Sequence, residues 1–145
     1  MDSNIATELG QRELTPSQIE SVLTFLQQSS DRKMTGALAT WRARRVVQLV
    51  DSILGQPIRV KDLAQHTGLS TSQFSRSFHT RFGVTCMKYV ALRRMEFAKA
   101  QMRTTDLSLA EIALLCGMSD QSHFSKTFRK LTGTTPLQWR NFHRE

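Results

Sequence analysis

Apolar residues recur at helical spacing along most of the chain, with polar and charged residues between them. No stretch alternates convincingly at a spacing of two, so the pattern predicts an all-α protein. The clearest element runs from Ser108 to Gly133. Ser108 and Glu111 form a Ser-x-x-Glu capping box, and Leu109, Ile112 and Ala113 supply the apolar face of a short first helix. Gly117 follows the last periodic residue, where a left-handed cap is needed. Ser119 is then expected to cap a second helix, with Phe124, Phe128 and Leu131 on one face and Ser122, Ser125, Lys126 and Arg129 on the other. Two short helices joined by a glycine turn describe a helix-turn-helix.

The same pattern occurs a second time upstream. Val60, Leu63 and Ala64 match Leu109, Ile112 and Ala113, and Gly68, Leu69 and Ser70 match Gly117, Met118 and Ser119, all at an offset of 49 residues. One residue is then gained. Phe74, Ser75, Arg76, Phe78 and Gly83 match Phe124, Ser125, Lys126, Phe128 and Gly133 at an offset of 50. So regular a repeat means two copies of one module. Between them Met87 to Arg103 reads as one helix, with Tyr89, Val90, Phe97, Ala98 and Met102 as its buried positions.

At the ends, Thr134-Thr135-Pro136 is expected to start a final helix through His143, with proline at its first position. Upstream, a helix from about Thr40 through Leu54 places Val46, Val50, Ile53 and Leu54 inward, with Trp41 as an anchor against the core. Residues 1–40 form an arm: Thr15-Pro16 starts an amphipathic helix with Ile19, Val22, Leu23 and Leu26 on its stripe, followed by a linker. That stripe is expected to pack on the rest of the domain or to make a weak dimer, so the chain is a monomer or weak dimer. The full expectation is two helix-turn-helix subdomains, about 58–83 and 108–133, joined by a long linking helix, about 87–103, within a domain of residues 41–145.

Charge sharpens the picture because it is uneven. The chain carries a net charge of +8. Residues 1–40 hold three basic and five acidic side chains, whereas residues 41–145 hold 17 basic and seven acidic. A concentrated positive charge suits a polyanion, and nucleic acid is the first candidate. Cys86 and Cys116 form no C-x-x-C motif, so neither a disulfide framework nor a zinc cluster is implied, and both read as small buried residues. The start MDSNIATELGQRE is not a signal peptide, and no apolar run reaches spanning length. These features point to the cytoplasm and away from membranes. His66, His79, His123 and His143 lack metal-ligand spacing, and no nucleophile elbow or phosphate loop occurs. No metal, cofactor or enzymatic activity is expected.

The outer faces of the two second helices carry the chemistry. One offers Ser72, Ser75, Arg76 and His79; the other offers Ser122, Ser125, Lys126 and Arg129, with His123 at its edge. Arginine can take both acceptors of a guanine edge in the major groove, and small serines let the backbone approach. Arg76 is the leading base-reading residue, and Lys126 follows it, with a phosphate contact as its alternative. Ser70 and Ser119, at helix starts, and Arg42, Arg45 and Arg129 are candidates for phosphate.

These residues resemble the DNA-binding domain of AraC/XylS-type transcription regulators over about Trp41 to Phe142. The modules VKDLAQHTGLSTSQFSRSF and EIALLCGMSDQSHFSKTFRKLTGTTPLQW and the helix YVALRRMEFAKAQM carry the resemblance. It implies a seven-helix domain in a bacterial-type regulator. Its two reading helices would enter adjacent major-groove segments of duplex DNA, ~34 Å or ~10 bp apart. Bases would be read from Ser72, Ser75, Arg76 and His79, then Ser122, His123 and Lys126. Activation is the expected outcome, with RNA polymerase as a candidate protein partner. A basic architectural protein coating DNA without sequence choice is the alternative. Cys86 stands where proline would match Pro136, leaving that helix start less fixed. Many members also carry an effector-binding sensor domain, which a forty-residue arm cannot build.

Overall fold

The computed structural model describes residues 37–144, and the helix expected after Thr15-Pro16 lies outside them. Among the described residues there are seven helices and no strand: α1 (Thr40–Ser52), α2 (Val60–Thr67), α3 (Thr71–Phe82), α4 (Cys86–Thr104), α5 (Leu109–Leu115), α6 (Gln121–Thr132) and α7 (Pro136–His143). They divide into two units. The first takes residues 37–52 with Ile58–Val90; the second takes Ile53–Pro57 with residues 91–144. The long helix α4 contributes its first turn to one and the rest to the other.

In the first unit, Ala43, Val46 and Val50 put a buried stripe on α1. They share a core with Leu63, Ala64, Phe74, Phe78, Phe82, Tyr89 and Val90. Ser70 caps α3 through a full capping box with Gln73, and Gly83 closes the helix in the left-handed region. Thr85 caps α4 as Thr135 caps α7: its Oγ1 accepts from the Lys88 amide at 3.2 Å, here without a proline at the next position.

Two expectations fail here. Trp41 is 54% exposed rather than anchored in the core. At 100° per residue it lies off the Ala43–Val46–Val50 stripe, and the Arg42 guanidinium stacks over its ring at 4.5 Å. Helix α1 also stops at Ser52, not Leu54. Ile53 and Leu54 are only half-buried, and they belong to the second unit. Gly55-Gln56-Pro57 follows at once, and Arg94 Nε and Nη2 donate to the carbonyls of Leu54 (3.1 Å) and Gln56 (2.9 Å), which no longer have helical partners.

The second unit is built around Met95, Ala98, Met102, Ile112, Ala113, Cys116, Met118, Phe124 and Phe128, with Leu131 and Trp139 at its margin. Phe97, expected to be buried, is only partly so and packs at the margin of this core. Ser108 and Glu111 make the expected capping box, and these bonds from Ser108 hold the Glu111 carboxyl below its ordinary pKa. Thr135 and Pro136 start α7 as expected, and Gln138 completes a capping box with Thr135. Arg140 of that helix then reaches back to the end of α4. Its Nε donates to the Met102 carbonyl at 3.3 Å, and its Nη2 donates to that of Leu107 at 2.7 Å. A cation at a helix C-terminus satisfies carbonyls that the helix itself leaves unpaired.

Candidate nucleic-acid interface

Each unit presents one helix whose buried side is aromatic and whose outer side is small and cationic. In α3, Phe74 and Phe78 are fully buried. Ser72, Ser75, Arg76 and His79 are all exposed on the other side. Arg76 makes a single long bond, Nε to the Ser72 carbonyl at 3.4 Å, so its guanidinium fork is available to a ligand. In α6, Phe124 and Phe128 are buried, while Ser122, His123, Lys126 and Arg129 are exposed and Ser125 is half-buried. Lys126 and Arg129 have no ion pair or hydrogen-bond partner among the described residues. The eight expected base-reading positions are thus brought onto two helix faces, four on each, and only Ser125 is withdrawn toward the core.

The helix starts differ from the expected pair. Ser70 caps α3, but Ser119 does not cap α6. The cap is Asp120, whose Oδ1 accepts from the His123 amide at 2.7 Å. Ser119 Oγ lies 3.4 Å from His123 Nδ1. An ionised carboxylate is a stronger acceptor at the positive end of a helix than a hydroxyl is, so Asp120 takes the position. The extra residue of the second copy therefore sits in the turn before the helix. Two neighbouring residues able to cap left this ambiguous in the sequence; the offset of 50 between Phe74 and Phe124, extended back one turn, pairs Ser70 with Asp120.

The phosphate candidates separate as well. Arg45 is exposed on α1, and Arg129 on α6. Arg42 is half-buried, and its Nε donates to the Thr67 carbonyl at 2.9 Å, at the end of α2. Arg42→Ala should therefore lower stability by about 1.5–3 kcal/mol, the range for a hydrogen bond to a charged group. Arg45→Ala should stay within about 0.5 kcal/mol of the parent. Urea unfolding compares them; equal effects would show that the Thr67 bond adds nothing.

Neither cysteine has the marks of a nucleophile. Cys86 and Cys116 are buried, and burial pushes both thiols up to about 12, with Arg94 pulling Cys116 only partly back. Both remain protonated core residues at neutral pH.

Two helix-turn-helix units of this kind, carried on one chain, define a class of DNA-binding domain. A family model described as a helix-turn-helix domain matches residues 63–141, more than half of the chain. The chain belongs to this family in its AraC-type form. The probable transcriptional regulator LumQ of Photobacterium leiognathi is 35% identical over 95 residues, covering 66% of this chain and 38% of its own length. The arabinose operon regulatory protein of Escherichia coli (strain K12) is 30% identical over 100 residues, covering 68% of this chain and 34% of its own length. The chain thus spans under two fifths of either curated relative. Among solved structures, a transcriptional regulator of the AraC-type DNA-binding class from Chromobacterium violaceum superposes with a TM-score of 0.67 at 29% identity. That match covers 70% of this chain and 91% of the other.

Proposed function

We propose that this protein is a sequence-specific regulator of transcription that inserts α3 and α6 into successive segments of the major groove of duplex DNA, and that it activates by contacting RNA polymerase in the cytoplasm. The observation that carries the reading is the matched pair of outer faces. Each is small enough for the helix to approach base edges, each bears a cation with its terminal nitrogens free of the protein itself, and each is backed by two buried phenylalanines. Base reading falls to Ser72, Ser75, Arg76 and His79, then Ser122, His123, Ser125 and Lys126. Arg45, Arg129 and the helix start at Ser70 take phosphate. The working unit is the domain from residue 41 onward, with both readers on one chain.

Selection from random duplexes tests the proposal. A specific regulator prefers its selected site by ~10³-fold or more over bulk DNA. Arg76→Ala should then cost ~1–3 kcal/mol at that site and relax one base position. Selection that returns no consensus would leave an architectural coat on DNA as the better reading. Equal losses on specific and random duplexes would remove Arg76 from base reading.

A further inference from the structure

The side of α3 turned away from Ser72, Ser75, Arg76 and His79 carries a feature that none of the preceding assignments uses. Leu38, two residues ahead of α1, is 1% exposed, and its main chain bridges one turn of α3. Its N–H donates to the Ser77 carbonyl at 3.1 Å. Its own carbonyl accepts from Arg81 Nη1 at 3.2 Å. Arg81 Nη2 also donates to Thr40 Oγ1 at 3.2 Å, on the first residue of α1. At 100° per residue, Ser77 and Arg81 fall on the opposite side of the helix from the reading face.

Packing alone does not account for an arginine here. Arg81 Nε is buried with no hydrogen-bond partner among the described residues, and burial lowers the pKa of the guanidinium. An apolar side chain of similar length would fill the space without desolvating a cation. What the guanidinium adds is directional: one bond to Leu38 ahead of α1 and one to Thr40 at its start, while the Leu38 amide supplies a third in the opposite sense. Bonds at both ends of one turn resist rotation of α3 about its axis as well as tilt, which a layer of phenylalanine rings resists less well. Leu38 lies outside the stretch matched by the family model, residues 63–141.

We propose that Leu38 and Arg81 are positioning residues for base reading by α3, holding the helix from behind so that Arg76 meets its base edge in register. The proposal rests on the DNA-reading function above. Its test therefore uses two readouts, one with DNA and one without, on the full chain. Arg81→Met keeps the packing and removes the donors; Arg81→Lys keeps the charge; Leu38→Ala keeps the main-chain bonds and removes the plug.

In random-site selection below the melting range, Arg81→Met should lose about tenfold of its base discrimination in one segment of the site, the share that one well-made side chain–base pairing supplies. The other segment and the salt dependence should stay as in the parent, and Arg81→Lys should recover part of the loss. In hydrogen exchange on free protein, Arg81→Met should speed exchange in α3 selectively. A melting-temperature loss with unchanged base preferences, or a loss spread equally over both segments, would reduce the pair to ordinary scaffolding and overturn the proposal. Should Arg81→Met fail to fold, Leu38→Ala and Arg81→Lys face the same two readouts, and parent-like profiles in both would overturn it. A parent protein that selects no consensus defeats the DNA reading itself; exchange then decides the bracing of α3 alone, and unchanged rates in α3 defeat that too.

Discussion

Phe78→Ala is expected to unfold most of the first unit, at a cost of about 3–5 kcal/mol for an aromatic side chain truncated in a core. Phe78 is fully buried, and its ring is the hub of the cluster behind α3. It stacks on Phe82 at 4.1 Å between centroids, nearly parallel at 9°. It also meets Phe74 at 5.7 Å and presents an edge to Tyr89 at 5.7 Å. Removing the ring opens a cavity bordered by three other aromatics, none of which can move to fill it without leaving its own contacts. A whole domain has only about 5–15 kcal/mol to lose, and a unit of this size holds a fraction of that. The second unit should remain folded, since its core is separate and is centred on Phe124 and Phe128. Amide NMR spectra check this: resonances of α1 to α3 should collapse toward random-coil positions while those of α5 to α7 hold. A loss below about 1 kcal/mol, or simultaneous collapse of both units, would contradict it.

That separation of cores was legible in the repeat itself, since each copy carries its own phenylalanine pair and its own glycine turn. Helix existence and type were also legible, because capping boxes at Ser70, Ser108 and Thr135 and the 3.6-residue stripes are local signals. What escaped the sequence is long-range. Arg42 reaches 25 residues along the chain to Thr67, Arg94 40 residues back to Leu54, Arg81 43 residues back to Leu38, and Arg140 38 residues back to Met102. No spacing rule announces such bonds, because the carbonyls they satisfy belong to every residue type alike. Lys99 escaped for a related reason: it is 7% exposed beneath Trp139 and paired with Glu96 at 3.1 Å, where periodicity alone reads a solvated lysine.

These bonds also change the meaning of the charge. The positive excess of residues 41–145 reads as a surface prepared for a polyanion. Yet Arg42, Arg81, Arg94, Arg140 and Arg144 are each committed to main-chain carbonyls of the protein itself. The charge offered outward on the two reading faces is smaller and better placed: Arg76 on α3, Lys126 and Arg129 on α6. Net charge overstates the number of phosphate contacts for this reason, and a salt dependence much steeper than these cations and Arg45 together allow would indicate a different binding face.

Gly117→Ala should cost more than the same change at Gly68 or Gly133, although all three glycines have positive φ, at 73°, 72° and 84°. The left-handed backbone alone penalises an alanine by roughly 1–2 kcal/mol, and that term is common to all three. The surroundings are not. A Cβ at Gly68 or Gly133 meets nothing within 4 Å, so those variants bear the backbone term only. At Gly117 a Cβ would lie 2.9 Å from the Leu54 carbonyl oxygen and 3.0 Å from Arg94 Nη2. The carbonyl is main chain and is itself held by the Arg94 guanidinium, so it cannot yield without breaking that bond. The turn leading into α6 therefore has to move instead, and the cost appears in two places. Stability should fall by about 1–3 kcal/mol more than in Gly68→Ala, the range for a strained backbone site. Base discrimination by α6 should weaken while that by α3 is retained. Equal unfolding free energies for Gly117→Ala and Gly133→Ala would show that the Leu54 strap gives way freely and that the turn is not held from behind.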